Sequence, residues 1–179
     1  MSYLNTKPLI YGFEKGELKD EVDLVVAYPA KIAIMLANDE IDVGLVPVAI
    51  IPKLKEHYII SDYCIGCDGE VGSVCLFSEV PLEKIENVLL DYQSMTSVEL
   101  LKILIKQYWK IDPVFISTSE DHRNDIKGTT AGLVIGDRAL EHWRPRNSRQ
   151  LPHCFCACPT LINARVRHAR HCGCRPHGR

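Results

Sequence analysis

The 179-residue chain is long enough for one domain or two small lobes, and its formal net charge is −2. Its first 25 residues lack a basic segment followed by a long apolar run, and no apolar run approaches the roughly 20 residues of a membrane span. We therefore expect a cytoplasmic protein with no membrane partner, whose Cys64, Cys67 and Cys75 stay reduced.

Charge is divided abruptly along the chain. Residues 1–141 contain 13 Lys and Arg and all 23 Asp and Glu, whereas residues 142–179 contain eight Arg and neither Lys nor acid. The same final segment holds five of the eight Cys and five of the seven His. We infer that two unlike sequences are joined near Glu141.

The first third of the chain alternates β-rich and helical patterns. Val22–Ala27 is a short β-rich run that predicts a strand. Because proline suits the first position of a helix, Pro29 and the apolar spacing after it predict a helix over about Pro29–Asn38. Ile41–Pro47 then predicts a buried strand that ends at a proline.

The same alternation continues to Glu141. Val71–Ser78 and Asn87–Gln93 predict strands. Thr96 and Glu99 form the S/T-x-x-E pattern of a capping box, which predicts a helix to about Trp109. Its predicted apolar face consists of Leu100, Leu101, Leu104, Ile105 and Tyr108. Two more strands and a helix are predicted over Pro113–Ser117, Ala131–Ile135 and Gly136–Leu140. The alternation favours an α/β fold with a largely parallel sheet.

One candidate site follows a predicted strand and opens the capped helix. In open α/β sheets, ligands bind beyond the carboxyl ends of strands and at helix N-termini. The hydroxyls of Ser94, Thr96 and Ser97 and the N–H groups of the first helical turn suit a carboxylate or a phosphate. Plain capping by Thr96 and Glu99 explains the same residues, so both interpretations stay open.

A second candidate segment is Gly66–Ser73, where three glycines favour a turn with close backbone approach to another group. An ordinary glycine turn explains it equally well. Cys64 and Cys67 form a C-x-x-C pair. Because residues 1–141 offer no second pair, a redox or zinc site is disfavoured and we expect no metal.

The remaining chemical candidates are few. Residues 1–141 contain His57 and His122, and neither lies in a strand-end motif, so a histidine base is poorly supported. Asp137 and Arg138 stand out because they directly follow the predicted strand that ends in GLVIG. An Asp at a helix start is also an ordinary partner of the helix dipole.

Five segments, in chain order, carry a resemblance to a known family: SYLNTKPLIYG, IDVGLVPVAII, SDYCIG with GEVGSVCLFSEVPLEKI, LLDYQSMTSVELLKILIKQYW, and GLVIGDRAL. Together they resemble the chorismate dehydratases of the futalosine route to menaquinone. The resemblance spans residues 2–141 and implies a type II periplasmic-binding-protein-like fold with two lobes and mixed, mostly parallel sheets. It assigns residues 1–74 to the first lobe and 75–141 to the second.

The resemblance also implies an activity. A chorismate dehydratase is a cytoplasmic lyase that needs no cofactor and eliminates water from chorismate, giving 3-[(1-carboxyvinyl)oxy]benzoate. Asn5 is the implied catalytic residue, which polarises the leaving hydroxyl or the enol ether, while a substrate carboxylate takes the proton. The implied substrate-binding residues are Tyr3, Thr6, Ser94, Thr96 and Ser97. A non-catalytic small-carboxylate-binding module or sensor of the same fold is the alternative.

The chain departs from the family pattern at several positions. Ala30 stands where a serine is usual, and Met95 replaces the arginine of an SRTS pattern, so a hydroxyl and a cation are lost near the expected ligand. Both replacements count against catalysis. Cys67 stands where a small alanine is usual. Family members carry a short strand before the SYLNTKP motif, and we expect that first strand to be missing here.

Residues 142–179 have no counterpart in the family pattern. Arg-, Cys-, His- and Pro-rich sequence without acids is typical of out-of-frame reading. Shifted by one base, codons for LPHCFCA can encode Pro-Thr-Val-Phe-Ala, close to an LPxVFA-like stretch of the family. We interpret the segment as frameshifted, with an Arg-rich nucleic-acid arm or a zinc module as the alternatives. The possible zinc ligands lack the usual spacing: Cys154, Cys156, Cys158, Cys172 and Cys174. The sequence gives no indication of oligomeric state.

Overall fold

A computed structural model describes residues 4–66, 71–142 and 151–154. The α-helices are α1 (Lys7–Lys15), α2 (Pro29–Ala37), α3 (Thr96–Ile103) and α4 (Asp137–His142), and α3 continues as a π-helical segment over Leu104–Trp109. The strands are β1 (Val74–Ser78), β2 (Asn87–Leu90), β3 (Val114–Ser117), β4 (Thr130–Ile135) and β5 (Leu151–Cys154). Short 3₁₀ helices cover Leu4–Thr6, Glu17–Asp20, Val48–Lys53, Leu82–Lys84 and Arg123–Asp125.

The strands form one mixed sheet in the order β3-β2-β4-β1-β5. β2 runs parallel to β3 and β4, with Val88 opposite both Phe115 and Ala131. β1 runs antiparallel to β4 and β5, with Val74 opposite Ile135. The chain is therefore α/β, as predicted, but the parallel arrangement holds only in the β3-β2-β4 half. The four strands predicted between residues 71 and 135 and the helices at α2, α3 and α4 are confirmed.

Both faces of the sheet are covered at β1, β2 and β4, whereas the residues of the edge strand β3 are exposed. Since successive strand residues point to opposite faces, Leu76 and Phe77 of β1 enter different cores. On one face, Leu76, Val88 and Leu133 pack with α3 and its π-helical extension through Leu101, Leu104 and Ile105. On the other face, the core comprises Cys75, Phe77, Leu89, Ile126, Val134 and Ala139, so α4 and the segment before β4 cover it.

The predicted apolar face of α3 is correct at its centre. Leu101, Leu104 and Ile105 are buried, whereas Leu100 and Tyr108 are exposed beside them. The helical segment ends where predicted, because Lys110 adopts a left-handed conformation with φ of 54°.

The two strands predicted before residue 66 are wrong. Val22–Ala27 and Ile41–Pro47 carry no strand, and Val43 and Leu45 expose 66% and 46% of their surface. A strand needs a neighbouring strand for its N–H and C=O groups, and within residues 4–66 the structure shows none. The apolar composition of these runs was therefore insufficient to predict a strand.

β5 lies inside the segment that we interpret as frameshifted. Its Leu151–Cys154 pairs with Cys75–Ser78 of β1 at one edge of the sheet. The other cysteines of the possible zinc module lie outside the described residues, and the out-of-frame origin stays a prediction.

In the described part of the chain, no helix has both the length and the apolarity that a bilayer crossing requires.

Candidate functional site

The parallel half of the sheet brings three loops to one edge. Because β2, β3 and β4 are parallel, the segments that leave them begin at the same side of the sheet. These segments begin at Asp91, Thr118 and Gly136. This carboxyl edge is where α/β proteins commonly bind ligands, and it contains the predicted Ser94–Ser97 segment.

Asp91, the first residue after β2, is the centre of this edge. It is 2% exposed and accepts hydrogen bonds from the backbone N–H groups of Gln93 (2.8 Å) and Ile135 (3.2 Å). Nη2 of Arg138 donates to its two carboxylate oxygens at 2.9 and 2.7 Å. These four hydrogen bonds compensate the desolvation of the carboxylate. They also link the end of β2 to the end of β4 and the start of α4.

Arg138 also joins this edge to α2. The Tyr92 ring lies beside its guanidinium, 5.0 Å from the Cζ carbon, which is cation–π geometry. Tyr28, which precedes α2, packs edge-on against Tyr92 with ring centroids 6.0 Å apart. The stack therefore brings the start of α2, including the buried Ala30, close to the segment after β2. Of the Asp137–Arg138 pair noted in the sequence, Arg138 faces the edge and Asp137 is exposed.

Ser94–Ser97 forms a turn between β2 and α3. The Ser94 N–H donates to the Asp91 carbonyl (3.3 Å), and the Ser94 hydroxyl accepts a hydrogen bond from the Ser97 N–H (3.2 Å). Ser94, Thr96 and Ser97 are half-buried. Three hydroxyls at the start of a helix can donate hydrogen bonds to an oxyanion, and the first-turn N–H groups have no partner within the helix.

The predicted capping box is wrong. The residue at the cap position is Met95, which has no side-chain capping bond, and Thr96 is already helical. A helical Thr96 cannot turn its hydroxyl onto the N–H three residues later. Glu99 instead receives Lys102 Nζ at 3.0 Å. The hydroxyl that caps this turn belongs to Ser94, so capping by Thr96 and Glu99 no longer explains why the segment is rich in hydroxyls.

His122 is a buried residue of the edge whose position the sequence did not reveal. It is 2% exposed, with Nε2 2.9 Å from the Leu133 carbonyl and Nδ1 3.2 Å from the Thr118 hydroxyl. The Thr118 hydroxyl donates to the Leu90 carbonyl at 2.6 Å. Since a carbonyl can only accept, Nε2 carries a proton. His122 thus bonds to β4 through Nε2 and lies against Thr118 of the β3 loop through Nδ1, while Thr118 bonds to β2. The only signal that the sequence offered for His122 was its position as a polar residue a few places after the predicted strand Pro113–Ser117.

A surface ion-pair group lies next to this edge. Arg123 Nη2 contacts Asp121 Oδ2 at 2.6 Å, and Arg123 Nη1 contacts Glu141 Oε2 at 3.1 Å. Hydrogen bonding from Arg123 lowers the pKa of Asp121 below its ordinary value.

Among the described residues, no group of three or more His, Cys, Asp and Glu is arranged to hold a metal ion.

The predicted site residues near the N-terminus that the structure describes lie in a different element from Ser94, Thr96 and Ser97. Asn5 is exposed and Thr6 half-buried in a 3₁₀ turn that packs on α1. Tyr3 lies outside the described residues, as do Cys67 and residues 68–70 of the glycine-rich segment. His57 is exposed. The structure thus groups Ser94, Thr96 and Ser97 with Asp91 and Arg138, and the predicted meeting of Asn5 with this group stays a prediction.

Comparison with known proteins adds two findings. A family model described as menaquinone biosynthesis matches residues 1–153. A chorismate dehydratase of Thermus thermophilus is 30% identical over 116 residues, which make up 64% of this chain and 42% of that protein. The chain therefore spans about two fifths of the length of this curated relative.

Proposed function

The chain belongs to the menaquinone-biosynthesis family, and we propose that it acts within that family as a chorismate dehydratase. The observation that carries the proposal is its likeness to the Thermus thermophilus chorismate dehydratase. We propose that the sheet described above is part of a two-lobed fold of the type II periplasmic-binding-protein kind. On this proposal the substrate lies at the carboxyl edge of the parallel strands.

The chemistry of the edge suits this substrate. Chorismate carries two carboxylates, and the edge presents the hydroxyls of Ser94, Thr96 and Ser97 at the start of α3. Hydroxyl and N–H donors bind a carboxylate more tightly at a helix N-terminus, where the helix dipole adds to the hydrogen bonds. In the proposed arrangement these three residues orient one carboxylate, and Tyr3 and Thr6 line the same pocket.

The proposed reaction is a 1,2-elimination that needs no cofactor. A proton leaves the ring carbon that bears the enolpyruvyl ether, the C–H electron pair forms a ring double bond, and the neighbouring hydroxyl departs as water. Since the ring becomes aromatic, the protein has mainly to orient the substrate and assist proton transfer. A substrate carboxylate takes the proton and passes it to the departing hydroxyl, which leaves as water, and Asn5 polarises the leaving hydroxyl or the enol ether.

The test is to incubate the protein with chorismate and follow the ultraviolet absorption of the aromatic product. Asn5→Ala should lower turnover by about 100-fold or more while chorismate binding remains measurable, because a polarising group acts mainly in the transition state. Asn124→Ala, at an exposed asparagine of the Arg123–Asp125 turn, is the matched control and should leave turnover unchanged.

Unchanged turnover in Asn5→Ala would remove Asn5 from the mechanism. Absence of product from the unaltered protein would overturn the enzymatic proposal. If chorismate still bound in that case, the chain would be a carboxylate-binding module of the same fold.

A further inference from the structure

Arg138 has a donor that the fold itself does not use. Its side chain is 16% exposed, and both hydrogen bonds to Asp91 come from Nη2. Nη1 of the same guanidinium is buried and has no hydrogen-bond partner within the described structure. A buried donor of a charged group is costly to leave unpaired, so it needs an acceptor. The ion pair to Asp91 accounts for the hydrogen bonds of Nη2 but gives Nη1 no acceptor.

The other arginine near this edge is fully engaged. Arg123 bonds to both oxygens of Asp121, to Glu141 and, through Nη1, to the Arg138 carbonyl at 3.3 Å. Its guanidinium is therefore committed to acceptors of the protein. Of these two arginines, Arg138 is the one that retains a donor for a ligand.

The Arg138 guanidinium is held in place before any ligand arrives. Asp91 is itself fixed by the Gln93 and Ile135 N–H groups, and the Tyr92 ring lies beside Arg138. A guanidinium whose rotamer is already fixed loses little conformational entropy on binding a carboxylate.

The neighbouring hydroxyl segment lacks a charge of its own. Ser94, Thr96 and Ser97 are neutral, and Met95 between them is apolar. The Ser94 turn and Arg138 both attach to Asp91, the turn through the Asp91 carbonyl and Arg138 through the carboxylate. Neutral donors and a cation are thus both attached to one residue, which is a suitable arrangement for an anionic ligand.

We propose that Arg138 is a substrate-binding residue whose Nη1 donates to a carboxylate of the ligand. The identity of the substrate rests on the proposed function, but the site itself requires only a carboxylate. Nη1 is covered by surrounding protein, so the ligand displaces part of that cover when it binds.

The test compares two non-reacting probes of the same shape, benzene-1,3-dicarboxylate and its uncharged diamide. Calorimetric titration should show that the unaltered protein binds the dicarboxylate roughly tenfold more tightly than the diamide. In Arg138→Gln, this preference should fall below about twofold, because the lost guanidinium is the group that distinguishes a carboxylate from an amide. Arg138→Lys keeps the charge but has one nitrogen to share between Asp91 and the ligand, and should give an intermediate preference.

Lys102→Gln is the matched control. It removes one positive charge and one ion pair on α3, the helix that carries Ser97, and should leave the preference for the dicarboxylate unchanged. Thermal unfolding of each variant checks that the fold persists.

Three results would overturn the proposal: no binding of the dicarboxylate to the unaltered protein, an unchanged preference in Arg138→Gln, or an equal loss of affinity for both probes. The last would show that Arg138 only supports the shape of the site. An Arg138-dependent preference for the dicarboxylate without chorismate turnover would refute the proposed function and leave this carboxylate site in place.

Discussion

Residues 71–142 and residues 4–66 both contain short apolar runs between polar turns, but the two regions use them differently. In residues 71–142 the runs become β1, β2 and β4, whose side chains are mostly buried. In residues 4–66, runs such as Val22–Ala27 remain outside any strand, and most of their side chains are exposed. Similar composition thus gave opposite structures.

The difference lies in the strands and helices that neighbour each run. β2 is paired on both edges, by β3 and β4, and its side chains meet α3 on one face and Ile126 on the other. Pairing satisfies the backbone, and burial contributes roughly 25 cal/mol per Å² of apolar surface. A run without either contribution stays hydrated, whatever its intrinsic β-propensity.

Matched leucine truncations should give the largest contrast between the two regions. Leu101→Ala removes a side chain that is 0% exposed in the main core, and should lower the free energy of unfolding by about 2–5 kcal/mol. Leu45→Ala removes one that is 46% exposed, and should cost less than about 1 kcal/mol. Urea unfolding followed by circular dichroism measures both. Equal losses would mean that residues 4–66 contribute to the same core.

The same Gly→Ala change should have opposite effects in the two regions. A Cβ at Gly132 of β4 would lie 2.7 Å from Ile126 Cδ1 and 3.2 Å from His122 Cδ2, both in buried side chains. Gly132→Ala should therefore destabilise the sheet by about 1–3 kcal/mol.

At Gly12 of α1, a Cβ would meet nothing within 4 Å. Gly12→Ala should stabilise that helix by about 0.5–1 kcal/mol, since alanine has the higher helix propensity. The midpoint of thermal unfolding should fall in Gly132→Ala. In Gly12→Ala, the midpoint and the helical circular dichroism signal should rise. A neutral Gly132→Ala would contradict the tight packing between β4 and Ile126.

The smallest expected effect concerns the ion pairs beside the sheet. Since Arg123 lowers the pKa of Asp121 in the folded state, this pair stabilises the protein above the ordinary aspartate value of 3.8, and the contribution is lost as the pH falls through the lowered pKa. Asp121 is largely solvent-accessible, so Asp121→Asn should cost only about 0.2–1 kcal/mol at pH 7.

The measurement is the free energy of unfolding of Asp121→Asn and of the unaltered protein at several pH values. The difference should shrink as the pH falls through the lowered pKa of Asp121. Asp125→Asn, in the neighbouring 3₁₀ helix Arg123–Asp125, also removes one negative charge and serves as the control. A difference that persisted unchanged in strong acid would show that Asp121 acts by some means other than its charge.

For the candidate site, sequence reasoning found the segment but not its internal connections. Ser94, Ser97 and Arg138 were recognisable because each follows a predicted strand closely. Asp91 was hidden inside a predicted strand that ended three residues too late, at Gln93 instead of Leu90. The link from Leu90 through Thr118 and His122 to Leu133 joins β2, the loop after β3 and β4, and no local pattern encodes which strands are neighbours.

Sequence reasoning was sufficient for the family, for α2 and for the main helices and strands of residues 71–142. Proline, glycine and apolar spacing act over a few residues, and they sufficed for α2, the strands β1 to β4 and the helix that ends near Trp109. The three-dimensional structure was needed to show that the sheet is mixed, that Val22–Ala27 and Ile41–Pro47 form no strand, and that Nη1 of Arg138 has no hydrogen-bond partner among the described residues. Those outcomes depend on which distant segments pair and pack, since hydrogen bonding and burial are properties of neighbours in space.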